Sequence, residues 1–436
     1  MFYGWWIAFA SAASFALSGG FYFYGFSTFF IPLEQQFGWS RMALSGAFSL
    51  SRLEGGIAGP IGGFLVDRFG PRRIMVLGIL VMGAGYILLS RIDSLVSFYI
   101  VFVLLISVGA SLGISVPPLV TTAKWFVKRR GLAMGIALSG VGVGGPLVPL
   151  LGMIVAGYGW QTATIVSGLT IWVLGLPLVT LMRSRPEHYG QFPDGIDPSS
   201  VREDMEEPGD RNAAKGNGSA TVLEQNFTVG QALLTPVFWL LALAFGLRQL
   251  VISAVAIHQI PFLVDIGISQ QLAATALGAL ATISIIGRVG FGWLGDHFEK
   301  RKVMAGALIM LALGCLILAN VSSWWQIIPF LLIYSPAYGG GASLMFAIRG
   351  EYFGRESFGT ISGLMDFIQM FGLVLGPIFA GFVYDATGSY QTAFYVFTAS
   401  ALLSTVLVLF LRKPALKEAL SRQEEKTDVG VQHRHP

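Results

Sequence analysis

The chain is 436 residues long, 54% hydrophobic and only 12% charged, with 55 glycines and a mean hydropathy of +0.68. Soluble domains carry about 25% charged residues, so this composition, with its repeated apolar runs, argues against a soluble fold and for a chain that crosses a membrane many times. A single cysteine, Cys315, excludes an intrachain disulfide, and the formal charge of +4 is explained by where the basic residues fall rather than by an anionic partner.

Taken in chain order, the apolar runs and their breaks predict twelve helices, at 5–31, 42–66, 73–90, 94–122, 131–155, 162–183, 236–264, 272–295, 301–319, 323–348, 357–383 and 390–411. The first run is too long for a signal-peptide core and is expected to be the first span. Basic residues gather in the connections after even-numbered spans: Arg68, Arg72 and Arg73; Lys124, Lys128, Arg129 and Arg130; Lys300, Arg301 and Lys302; Arg349 and Arg355. With those of the central segment and the C-terminal tail they make 23 of the 28 Lys and Arg, whereas the opposite connections hold only Arg41 and Arg91. The positive-inside rule then puts both termini in the cytoplasm of a cell-membrane protein.

Polar landmarks repeat at a nearly constant offset. Asp67 in "GFLVDRFGPRR" corresponds to Asp296 in "GWLGDHFEKRK" at an offset of 229, Gly135 to Gly363 at 228, and "GWQTA" (159–163) to "SYQTA" (389–393) at 230. Three landmarks in register predict two six-helix halves of parallel topology. The halves are expected at 1–183 and 231–415, with a cytoplasmic linker at 184–230 and a tail at 416–436. The linker loses all apolar periodicity and is rich in Pro, Gly, Ser and acidic residues, so it is expected to be solvated. Its sequons at Asn217 and Asn226 then lie on the wrong side for glycosylation. Thr228 is placed to cap a short amphipathic helix running into Pro236.

"GGFLVDRFGPRR" resembles the signature loop of the major facilitator superfamily, G-x-x-x-D-R-x-G-x-R-R, with a weakened second copy where that family keeps one. The fold this implies is an all-α polytopic protein of twelve transmembrane helices in two pseudo-symmetric bundles. The resemblance also implies a gate built from Gly63, Asp67, Arg68, Gly70, Arg72, Arg73 and Asp296 that latches the halves together at the cytoplasmic face. Physically, Gly62 and Gly63 would let helices cross closely, Asp67 could cap a helix or pair with a base, and the arginines could anchor at anionic headgroups. "FFIPLEQQFGWSR" (29–41), "KWFVKRRGLAMGIALSGVGVGG" (124–145), "RPEHYGQFPDG" (185–195), "HQIPFLVDIGIS" (258–269) and "IIGRVGFGWLGD" (285–296) resemble the monocarboxylate porter and oxalate/formate antiporter branches. In those branches the arginine at the place of Arg288 binds substrate carboxylate. Animal monocarboxylate porters carry a lysine near the place of Tyr24, and an aspartate where this chain has Ser284.

Ionisable residues inside spans cost roughly 2.5–3.5 kcal/mol each on insertion scales and usually face a cavity or a partner. They are Arg52 and Glu54 in span two, Arg248 and His258 in span seven, Arg288 in span eight and Asp366 in span eleven. Three arginines against two carboxylates favour an organic anion. Arg288, Arg52 and Arg248 are the candidate anion contacts, and a guanidinium matches a carboxylate bidentately without deprotonating. Arg52 and Glu54 are two residues apart, roughly 200° around a helix, so they cannot pair well with each other. Asp366, His258 and Glu54 are the candidates for proton coupling. Asp366 is expected to answer Arg288 when no substrate is bound, with a fixed pair to Arg52 as the rival. His258 fits a hydrogen-bonding role better than a proton relay. Tyr22, Tyr24, Tyr334, Tyr338, Ser115 and Gln369 could supply further donors. The glycines of "SGVGVGGPLVP" (139–149) and "GLVLGP" (372–377) are expected to be close-packing and hinge sites.

No P-loop, dinucleotide fingerprint, H-E-x-x-H or cysteine–histidine cluster is present, so neither an enzyme nor a resident metal or cofactor is expected. His433 and His435 lie in the tail without helical context. The expected function is secondary transport of a small organic anion, most simply a monocarboxylate with a proton, by a monomer working through alternating access. Anion exchange, efflux of larger amphipathic compounds and a non-transporting sensor are the rivals. The lipid bilayer is an expected partner and nucleic acid is not.

Overall fold

A computed structural model of the chain describes residues 2–126, 130–195, 227–354 and 357–414. Among them there is no strand; the chain runs as helices joined by short turns. Spans one to four are Gly4–Phe37, Arg41–Phe69, Pro71–Leu89 and Leu95–Trp125. Span five is Arg130–Val143 continued from Leu147, and span six ends at Leu181. Spans seven to twelve are Pro236–Asp265, Gln270–His297, Lys300–Ala319, Ile327–Phe353, Phe358–Thr387 and Gln391–Leu409. Spans five and six run on as one helical stretch that reverses at Gly159, whose φ of 82° is a left-handed conformation open to glycine.

The local sequence explains the span ends. Gly70 (φ 80°) turns the chain between spans two and three, and Pro71 takes the first helical position, where its missing N–H costs nothing. Ser40, Ser269 and Thr235 cap spans two, eight and seven with side-chain oxygens that accept backbone N–H bonds. The short helix expected before span seven is Val229–Leu234, and Thr228 closes a capping box with Gln231. The middle of the linker and the tail, with Asn217, Asn226, His433 and His435, lie outside the described residues.

Two apolar cores follow the two halves. One joins residues from Ile7 to Met182 and takes in Ile257; the other runs from Phe227 to Leu411 and takes in Tyr24 and Val148. Between the halves, span two packs on span eleven, span five on span eight, and the second part of span one on span seven. The glycines at 139–149 and 372–377 sit where helices touch. A Cβ on Gly145 would lie 2.5 Å from the Gly278 carbonyl of span eight, and one on Gly372 would lie 2.0 Å from the Gly246 carbonyl of span seven. Gly62 is close to Val116 of span four, but a Cβ on Gly63 would meet nothing within 4 Å, so Gly63 makes no close crossing.

A second correction concerns span ten. It extends past the apolar run to Phe353, so Arg349 lies inside a helix and is fully buried, not in a basic connection. The helix can carry this charge because a carboxylate of the next span faces it.

Candidate functional site

The arginines of the three spans converge on one pair of hydroxyls. Tyr24, just past a π-helical stretch of span one (Ser18–Phe23), shares a 2.9 Å hydrogen bond with Tyr338 of span ten, so the pair bridges the two halves. Arg52 and Arg288 both act electrostatically on Tyr24, and Arg248 lies within the same reach of Tyr338 and of Arg288. None of the three guanidinium groups is hydrogen-bonded to a carboxylate among the described residues. Arg248 donates to the Tyr338 carbonyl (2.5 Å) and to Gln249 (3.2 Å). Arg288 donates to the Leu138 carbonyl of span five (2.8 Å), which carries it across to the other half. Arg52 lies over the rings of Phe48, Phe23 and Tyr22, with its Nε and Nη2 buried and unpartnered. Positive charge therefore collects at mid-depth, with donors to spare.

The neutral candidates divide. Tyr334 stacks on Tyr338, ring centroids 6.3 Å apart, and its hydroxyl is unpartnered. Gln369 is buried with both side-chain polar atoms unpartnered, so it too has hydrogen-bonding capacity in reserve. Ser115 ends a π-helical stretch of span four, half-buried, and takes no part in these bonds. Gly341 was not singled out from the sequence, yet a Cβ there would lie 2.5 Å from Nε of Arg248. Its missing side chain makes room for the guanidinium, a role no periodicity could signal.

Asp366 is not the partner of Arg288, nor of Arg52. Its Oδ1 accepts a 2.7 Å bond from Nη2 of Arg349, one helix away in the same half. Arg349 lies just past the apolar run, so hydropathy assigns it to a connection and leaves Asp366 without a local base, whereas the helix runs on to Phe353. His258 is a hydrogen-bonding node. Nε2 lies 2.9 Å from the Pro377 carbonyl and 3.0 Å from the Ser45 hydroxyl, and Nδ1 lies 2.9 Å from the Tyr390 hydroxyl. A carbonyl only accepts, which places a hydrogen on Nε2. Glu54 accepts from Ser107 and Ser111 of span four through Oε2, while Oε1 is buried without a partner.

The loop motif makes its bonds within its own half. Asp67 pairs with Lys124, and Arg72 donates to the Met182 (2.5 Å) and Thr180 (2.8 Å) carbonyls at the end of span six. Arg68 lies over Phe69, and Arg73 is exposed. In the second copy Asp296 is exposed and has no ion pair among the described residues. The neighbouring Glu299 accepts from Lys302 and Arg301 instead, and these bonds hold its carboxyl below the usual range. Lys300 pairs with Glu351 at 2.9 Å, again within one half.

The charged latch between halves is at the opposite end, on residues that sequence reasoning passed over. Arg41 opens span two and is 3% exposed. Its guanidinium donates to Glu34 of span one and forks onto both carboxylate oxygens of Asp265 at the end of span seven. The ring of Tyr384 lies 3.7 Å from it. Asp385, near the end of span eleven, accepts the backbone N–H groups of Arg41 and Met42 at 3.0 Å each, so a carboxylate of one half caps a helix of the other. The available signal was that Arg41 is one of only two basic residues in the connections of that side.

The Major Facilitator Superfamily model matches residues 6–297 and 237–434. The chain is 26% identical over 413 residues to Monocarboxylate transporter 12-B of Danio rerio, covering 93% of this chain and 85% of that protein. It is also 26% identical over 415 residues to the Oxalate:formate antiporter of Oxalobacter formigenes, covering 92% and 91%. Among solved structures, a D-xylose–proton symporter superposes with a TM-score of 0.71 at 14% identity, over 94% of this chain and 98% of that one. A bacterial homologue of the human lysosomal transporter Spinster, inward-facing and unoccupied, gives 0.66 at 18% identity, over 93% and 95%. At these identities the two structures establish the fold, and the sequence match establishes the lineage: the chain belongs to the major facilitator superfamily and is one of its multi-pass membrane transporters.

Proposed function

We propose that the protein carries small monocarboxylate anions together with a proton, by alternating access between its two halves. The observation that carries this reading is the convergence of Arg52, Arg248 and Arg288 on the Tyr24–Tyr338 bridge with no carboxylate bonded to any of them. A substrate carboxylate supplies the missing charge: Arg288, Arg52 and Arg248 hold it, Tyr24, Tyr338 and Gln369 donate to its remaining lone pairs, and Ser115 borders the path. Arg288 now answers only a backbone carbonyl, a neutral partner that an anion displaces at small cost.

The halves 1–183 and 231–415 rock as units, joined by the linker at 184–230 and followed by the tail at 416–436. The basic ends face the cytoplasm with both termini, in the cell membrane, and the monomer suffices. The latch at Arg41 then closes the external face, and the motif of Gly63, Asp67, Arg68, Gly70, Arg72 and Arg73, with Asp296, is the cytoplasmic gate that exchanges its bonds within the half for bonds between halves in the opposite state. The proton moves through one of the ionisable groups inside the spans, Asp366, His258 or Glu54. A second reading, anion exchange, is favoured by the similarity to the Oxalate:formate antiporter. Uptake of formate, oxalate, lactate and pyruvate into proteoliposomes, with and without an imposed pH gradient, separates the two. Symport shows net uptake that the gradient accelerates; exchange requires internal anion and ignores the gradient. Transport of no carboxylate in either arm ends the anion reading.

A further inference from the structure

Spans one and four both depart from α-helical winding where Tyr22 of one meets Ser107 of the other. The π-helical stretches Ile100–Ser107 and Ser111–Ser115 of span four bring Ser107 and Ser111 to the carboxyl of Glu54, near the middle of the 29-residue span two, and the stretch Ser18–Phe23 of span one brings Tyr22 to Ser107. Short π-helical turns are frequent at functional sites. Oε2 of Glu54 accepts from Ser107 and Ser111. Ser107 has one proton to give, to Glu54 or to the Ser51 carbonyl (3.2 Å), so Tyr22 donates to Ser107 across 2.9 Å. Oε1 is buried and receives nothing. An ionised carboxylate in such a place leaves a charged acceptor bare at the desolvation cost, and protonation lowers that cost.

The groups facing Glu54 are few. Its own span contributes Arg52, which acts on it electrostatically. Span four contributes the two serines, and Tyr22 of span one stands behind Ser107 through its hydrogen bond to that hydroxyl. The charged residues of span three, Arg72 and Arg73, are at its basic end. Those of span eleven are engaged elsewhere, Asp366 with Arg349 and Asp385 with the start of span two. Arg52 in turn reaches both Glu54 and the Tyr24–Tyr338 bridge.

We propose that Glu54, held by Ser107 and Ser111 with Tyr22 bonded behind Ser107, carries the proton that accompanies the anion, with Arg52 as the shared counter-charge. This rests on the symport reading above. An ionised Glu54 and a substrate carboxylate compete for the single charge of Arg52. A proton from water forms an O–H bond on Glu54, neutralises it and releases Arg52 to the anion; the proton returns to water at the other face after the anion leaves. No other bond changes. Proton binding strengthens anion binding and, by linkage, the reverse.

The test compares wild type with Glu54→Gln in proteoliposomes, using whichever of formate, oxalate, lactate and pyruvate the wild type moves. The gradient-driven component is expected to fall about ten-fold or more, while exchange of labelled for unlabelled anion at equal pH stays within about three-fold. Gradient-driven uptake by Glu54→Gln at the wild-type rate overturns the proposal. A wild type that exchanges but ignores the gradient overturns the symport reading itself, a different result. Should Glu54→Gln not survive purification, the Ser107→Ala, Ser111→Ala double variant keeps the carboxyl and removes its donors. The pH of half-maximal uptake then moves upward, since the charged form has lost its support; an unmoved midpoint overturns the assignment.

Discussion

The two ends of this transporter carry charged clusters of similar size and opposite architecture. At the basic end, the residues of the recognisable motif bind inward: Asp67 to Lys124, Arg72 to the carbonyls that close span six, Lys300 to Glu351. At the other end, an unremarkable arginine in "FGWSR" joins spans one, two and seven, and Asp385 of span eleven caps the start of span two. What separates them is burial. The side chain of Arg41 is 4% exposed, against 25% for Lys124 and 57% for Asp67. Ion pairs at exposed sites are screened and worth little, whereas a buried forked pair enforces one geometry. The conspicuous motif is therefore, in this conformation, the looser of the two, and the tighter contact is made by Glu34, Arg41 and Asp265, which lie in stretches that resemble the porter branches but carry no charge-pairing pattern.

The comparison can be broken from its strongest point downward. Arg41→Ala leaves Glu34 and Asp265 facing each other without their base. Removing one partner of a buried pair costs about 3–5 kcal/mol, so transport is expected to fall at least ten-fold, and a cysteine introduced behind the latch to react faster with a maleimide. Unchanged labelling would show that the cluster is not a closure. Asp366→Asn strands Arg349, which is buried with Nε and Nη1 already unpartnered. Because Asp366 is half-exposed, a loss of about 1–3 kcal/mol is expected, read as a lower melting temperature in detergent. The pH dependence of uptake is expected to persist; its disappearance would move the proton from Glu54 to Asp366. Asp385→Asn keeps an acceptor for only one of the two N–H groups, sets an amide NH2 against the other and loses the charge at the helix start, a cost of about 1–2 kcal/mol visible as a partial gain in maleimide labelling. Asp67→Asn should do least, changing stability by under about 1 kcal/mol and leaving labelling at the far end as in the wild type. Labelling that rises as much as in Arg41→Ala would erase the distinction between the two ends.

Much of this molecule was legible beforehand. The apolar runs placed the twelve spans, most of them to within a few residues, although span one runs on to Phe37 and span ten to Phe353, and the N-cap role of Thr228 was visible in its residue type and place. That Arg52, Arg248 and Arg288 each need a cavity or a partner follows from the cost of placing guanidinium groups in an apolar span; that they lie around one tyrosine pair does not. Their partners did not follow. Asp366 was matched to Arg288 because both were within spans, but a helix can run a turn beyond its apolar run when a carboxylate of the next helix receives the charge, and Arg349 does so. The π-helical turns of spans one and four were invisible because the same apolar residues suit either winding.

The sequence alone determined where the chain enters and leaves the apolar phase, its two-fold repeat and the excess of positive charge inside it, because each depends on residues near one another along the chain or on their sum. Which carbonyl Arg288 addresses, which base holds Asp366 and which end is latched were decided only by the tertiary structure. A charge in an apolar span takes the best partner within a few ångströms, and that neighbour belongs to another helix, hundreds of residues away in the case of Arg41 and Asp265.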